Sequence, residues 1–253
     1  MTALASRAEL TVAETFRQER RADLLYLAGL LEDKHLVADA GPLKAAANQL
    51  SKPSGVLEWR YRVTGLTFNL DLPANSLPAP IATGLTIVLN VTARGRVPCP
   101  AHDPFTELAI DIGLSASAPG GASHLCTWHL DRHITGGHVP VDLHPLYHFQ
   151  YGGRGMVPVH GFLGQTLLLE APRLIHPPLD AVLAVDFVLG HYGGAGRAVL
   201  LKDAGYRQRI REAQRRLWRP IDEALSRAWN ADSDKATTGA LSPAIILLEA
   251  MRD

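Results

Sequence analysis

Cysteine is nearly absent: Cys99 and Cys126 are the only two in 253 residues. They form no CxxC pair and no disulfide framework, which fits a reducing cytosol better than a secreted scaffold. Charge of one sign is also missing. The 25 basic side chains are matched by 25 acidic ones, so bulk attraction to nucleic acid or to an anionic membrane surface is excluded and only local patches remain. No run approaches the roughly 18 apolar residues of a membrane span, and acids and arginines occupy the first twenty positions in place of an apolar signal core. The expectation is a cytoplasmic protein with no membrane contact. There is no GxSxG, no HExxH, no P-loop and no GxGxxG before a helix; the glycines at 190, 193, 194 and 196 follow a helical pattern instead.

What is there suits folding without staples. With 47% hydrophobic and 20% charged residues, a chain of this length buries roughly three quarters of its unfolded surface. A metal would therefore be functional, not structural. Thr11 with Glu14 forms a capping box, and Phe16, Leu24, Leu27 and Leu31 recur at helical spacing, giving a helix over 11–34. Pro42 starts a second helix over 42–51. The period then changes to two. Strands are expected over 57–72, with a bulge at Gly65, and over 83–97, 106–118, 123–133 and 165–170. The stretch between Pro140 and Pro158 reads as mostly loop. Helices follow over 179–190, 203–229 and 242–252, the long one kinked or split by Pro220. Asp186 lies in an otherwise apolar helix and requires an arginine, histidine or hydroxyl partner. The pattern predicts one α+β domain over residues 1–253, an antiparallel β-meander of four or more strands covered by N-terminal and C-terminal helices.

Histidine is unevenly spread. His124, His129, His133, His138, His144 and His148 place six of the 11 between positions 124 and 148, where even spacing would give about one. Period two sets His129, Asp131 and His133 on one strand face, with Cys126, Trp128 and Leu130 on the other. Alternate side chains stand roughly 6.5 to 7 Å apart along a flat strand. His129 with Asp131 is thus the better half-site, needing a further histidine from elsewhere. Imidazole and carboxylate together suit Zn²⁺ or Fe²⁺, and the candidate ligands are His129, Asp131, His133, His144 and His176. As catalytic groups we select His129, Asp131 and His148. A histidine can also serve as general base without metal if Asp131 or Asp142 fixes its tautomer, which would make the site hydrolytic. In the loop that follows, Tyr147, Tyr151, Gly152 and Gly153 are candidates to line a cofactor or ligand pocket.

Over residues 128–176, the HxD string His129-Leu130-Asp131 and the distal His176 after the strand-like Leu167 to Leu169 resemble the iron and 2-oxoglutarate oxygenases. The resemblance covers about a fifth of the chain and implies His176 as the distal ligand. A buried helix follows at Leu179 where that family has further strands, and the nearest basic residue for 2-oxoglutarate is Arg197.

A second class of function comes from the last long helix, where Arg207, Arg209, Arg211, Arg215, Arg216 and Arg219 crowd one side with Glu212 as the only acid among residues 207–219. The two expectations are a ligand- or metal-binding protein using the histidine-rich strand and loop, as a non-haem iron oxygenase or hydrolase type of enzyme on a small molecule, and a non-catalytic module. The module would bind a protein partner through the aromatic loop or the arginine helix, or nucleic acid through Arg207, Arg211 and Arg215.

Overall fold

Alternation of apolar and polar side chains decides which side of a strand is buried, and the computed structural model follows it over 58–70, 84–97 and 107–117. The structure describes residues 5–51, 55–72, 83–97, 103, 105–117, 123–132, 145–152, 156, 173–223 and 226. The expected strand over 165–170 and helix over 242–252 lie outside them, as do His133, His144 and Gly153. Six strands, β1 (Glu58–Leu70), β2 (Thr83–Arg96), β3 (Glu107–Ser117), β4 (Ser123–Arg132), β5 (Tyr147–Tyr151) and β6 (Leu174–Ile175), form one antiparallel sheet in sequence order. Among the described residues, the helices that accompany it are α1 (Arg7–Asp33), α2 (Gly41–Leu50), α3 (Ala181–Tyr192), α4 (Ala195–Leu200) and α5 (Ala204–Leu217). This is the α+β architecture expected, with helices in the N-terminal and C-terminal regions.

One sheet face is dry. Trp59, Val63, Ile87, Val91, Ile110 and Leu130 belong to the buried core that also takes in Leu27 and Leu31 of α1, Leu43 of α2 and Val185 of α3. The bulge occurs at Gly65, whose φ of +73° is a backbone conformation that residues with a Cβ rarely adopt. It keeps Val63 and Leu66 both inward, and the freed Gly65 N–H donates to Asn90 Oδ1 at 2.8 Å. The outer edge of β1 is capped by α2: the Gln49 side chain accepts from Arg62 N at 2.9 Å and donates to Arg62 O at 3.2 Å. That amide occupies ladder groups which an intruding strand would otherwise use.

Three local expectations shift. α1 starts earlier, because Ser6 and Glu9 form the reciprocal capping box and the Thr11 hydroxyl donates to Arg7 O instead. Residues 147–151, read as loop, are strand β5; Tyr147, Phe149 and Tyr151 alternate with His148 and Gln150, a period-two signal hidden by flanking turn formers. α5 stops at Leu217, and helical turns resume at 219–223, consistent with Pro220 opening a new first turn. Asp186 finds both kinds of partner: the Tyr206 hydroxyl donates to it at 3.0 Å, and Arg197 Nε stands 3.5 Å away. The Tyr206 phenol is held above its ordinary range, first by burial and then by the Asp186 charge. Asp186 therefore ties α3 to α4 and α5.

Candidate metal centre

The face of the sheet turned away from the helices carries the chemistry. β4 and β5 are antiparallel neighbours with Asp131 opposite His148 and His129 opposite Gln150. Directly paired side chains in such a ladder stand about 4.5 to 5.5 Å apart at Cβ. The third donor that a single strand cannot supply therefore comes from across the ladder. His148 Nε2 lies 2.9 Å from Asp131 Oδ1, and His129 Nε2 lies 4.0 Å from Asp131 Oδ2. One ligand atom from each of the three falls within 4.8 Å of the other two.

These separations suit a small cation. Bonds of about 2.0 to 2.1 Å in tetrahedral geometry put neighbouring donor atoms about 3.3 Å apart, between the 2.9 Å and 4.0 Å contacts to Asp131. The His148 ring supplies a second argument. Its Nδ1 is 3.3 Å from the Pro145 carbonyl while its Nε2 faces the Asp131 carboxylate, so both ring nitrogens address oxygen acceptors. A neutral imidazole owns one N–H. With the proton on Nδ1 and donated to Pro145, Nε2 presents a lone pair that can ligate a cation; with it on Nε2, the ring donates to Asp131 at 2.9 Å. A ligating histidine commonly has its remote nitrogen fixed on a backbone carbonyl in this way.

Burial is graded across the cluster. His148 is 1% exposed and Gln150 5%, whereas the His129 and Asp131 side chains retain 26% and 40% exposure. Water is thus excluded on the β5 side, and the accessible side lies over β4 and β3. Asp111 of β3 pairs in register with His129. Partial burial raises the pKa of Asp111, the His129 ring opposes that rise, and the Asp131 charge adds to it.

The remaining expected site residues fall elsewhere. His176 is on the helix side of the sheet, its ring centroid 5.4 Å from Phe149 and 6.0 Å from Phe187, with Nδ1 2.6 Å from the Pro177 carbonyl. Period two explains the separation, since His176 follows Ile175, which is opposite His148. The second imidazole, and third donor, beside the HxD pair is therefore His148, not the distal His176 implied by the oxygenase resemblance. Tyr147 also points inward; it is fully buried and its hydroxyl donates to Asp103, which pairs with Arg132. Tyr151 leans on Trp128 at 5.0 Å between ring centroids. Gly152 has a φ of +80° and ends β5 by donating to Thr127 O at 2.8 Å, while its own carbonyl accepts from the Thr127 hydroxyl. Tyr147 belongs to the inner packing, Tyr151 keeps 44% exposure at the strand end, and Gly152 closes the strand.

The arginine helix is partly spoken for by other elements. Arg209 lies over the Tyr26 ring at 3.6 Å and 3.3 Å from buried Asp23, and Arg216 pairs with Asp180 at 2.5 Å. Asp180 caps α3 by accepting from Leu183 N. Acids distant in sequence provide the neutralisation that Glu212 alone cannot, and Arg211 and Arg215 stay exposed. No helix among the described residues is long and apolar enough to cross a membrane. Scans against protein-family models, curated proteins and solved structures return no match.

Proposed function

We propose that this chain is a metal-dependent protein that holds Zn²⁺ or Fe²⁺ through His129, Asp131 and His148, and that it acts on a small molecule as a hydrolase or non-haem iron oxygenase type of enzyme. The observation carrying the reading is the convergence of two imidazoles and one carboxylate within 4.8 Å on two adjacent strands. When bound, the metal supplies a Lewis acid with open coordination positions, able to polarise a water or substrate oxygen.

The chain's own groups do the rest. The Pro145 carbonyl holds the His148 ring by its Nδ1–H and leaves Nε2 for ligation. Asp111, across the ladder from His129, orients that ring by its charge. Buried Gln150 closes the β5 side, so a substrate approaches over β3. The 2.9 Å contact between His148 and Asp131 also supports a second, metal-free reading in which Asp131 fixes His148 as a general base.

Elemental analysis after incubation with Fe²⁺ or Zn²⁺ and desalting separates the two. About one metal per chain, lost in His148→Ala and in Asp131→Ala, is the expected result. Protein that retains no metal under either condition overturns the proposal and leaves the general-base reading.

A further inference from the structure

The outer sheet face is charged unevenly, and its register lines the two ends up. His148, Asp131, Ala109, Thr92 and Arg62 form one continuous row across five strands. Arg60, Arg62 and Arg94 stand at the β1–β2 end, whereas Glu107, Asp111 and Asp131 stand on β3 and β4. Arg94 is taken up by Glu58 at 2.8 Å. Arg60 and Arg62 are exposed, two positions apart on the same face, with no carboxylate partner among the described residues. Their mutual repulsion is a standing cost that an anion would relieve. Arg62 Nε donates to Thr92 Oγ1 at 3.2 Å, which draws its guanidinium over β2 and toward the histidines.

Between the two ends lies Ala109, whose single methyl group leaves a low floor. Strands are spaced about 4.8 Å apart, so Thr92 stands about 10 Å from Asp131 by backbone. Arg60, Arg62, Thr92 and Arg94 also line a groove of about 480 Å³ at the far end, with Glu107, the ladder partner of Arg94, as its one acid. Its direction matches the burial gradient of the metal centre, which is closed toward β5 and open toward β3.

We infer that the substrate of this centre carries an oxyanion, a phosphate or a carboxylate, held by Arg60 and Arg62 while its other end reaches the metal at His129, Asp131 and His148. The planar guanidinium fork matches either group. The inference rests on the metal reading and adds the class of substrate. A cation at the acidic end and an anion at the basic end together complement the field of this face.

The test uses the full chain loaded with Co²⁺, whose visible absorption reports its coordination shell. Glycerol 3-phosphate and succinate are titrated separately, one for each kind of oxyanion. The expected result is that at least one shifts the cobalt bands, and that the Arg60→Ala/Arg62→Ala variant binds it about tenfold or more weakly while its affinity for Co²⁺ changes less than about twofold. Whichever ligand responds names the group. Cobalt bands that ignore both compounds, or a double variant that binds as well as the unaltered protein, overturn the inference and leave the metal reading standing. An unaltered protein that takes up no cobalt overturns the metal reading and this inference together.

Discussion

The two faces of the β4–β5 ribbon use the same residue type to opposite ends. On the inner face, His176 sits among Phe149 and Phe187, with its ring nitrogen on a backbone carbonyl. On the outer face, His129 and His148 converge on Asp131. The inner ring is a wedge in an aromatic stack; the outer pair shares one carboxylate between two nitrogens that a metal can bridge. Histidine enrichment alone therefore does not mark a site. What separates the two cases is a carboxylate within reach and a second imidazole placed by strand pairing.

The comparison is broken first by removing the inner stack. Phe149 touches the rings of Trp128, Phe187 and His176 at 5.1 to 5.4 Å between centroids. Phe149→Ala is expected to cost about 3 to 5 kcal/mol in urea unfolding, as for other large core truncations. A loss below about 1 kcal/mol would mean that the inner face does not anchor β5. Next in size is the outer face. His148→Ala should weaken Zn²⁺ binding by more than about a hundredfold in competition with a chromophoric chelator, while His176→Ala leaves it within about twofold. Equal losses in the two variants would erase the distinction between the faces.

Asp111→Asn sharpens the outer half. It keeps the shape and removes the charge facing His129, so Zn²⁺ affinity should fall by about tenfold with stability little changed. The smallest effect lies on the inner side. Burial lowers the pKa of His176 below its usual 6.5; the Pro177 carbonyl opposes this, and the nearby His191 adds slightly to the lowering. A ring that resists protonation in the fold takes up its proton more readily when unfolded. The stability it gives is fully present above the unfolded pKa and is lost as pH falls below 6.5 toward the folded value. The urea midpoint should thus drop between pH 7 and pH 5, and His176→Phe should flatten part of that drop. An unchanged pH profile would show that the ring protonates without cost.

Much of the fold was legible because its signals are local. Alternation over Leu85 to Ala93 and over Leu108 to Leu114 places β2 and β3, and Gly65 marks the bulge where the pattern slips. β5 was harder, since five residues between turn formers carry only two and a half periods. The HxD pair was visible from spacing within one strand. His148 was named beside that pair as a catalytic group but not among the metal ligands, because its place next to Asp131 depends on which residue of β5 stands opposite, and register across a long connection is set by tertiary packing. Aromatic richness made Tyr147 and Tyr151 look like pocket walls; their parity with Phe149 turns both toward the helices. The acids that hold Arg209 and Arg216 are Asp23 and Asp180, far away along the chain and brought close only by folding.

The most direct test of the donor set is X-ray absorption at the zinc edge of the reconstituted protein. The account predicts two imidazole nitrogens and one carboxylate oxygen at about 2.0 to 2.2 Å, the remainder being light oxygen scatterers. A shell with sulfur, with three or more imidazoles, or with water oxygens alone would contradict it.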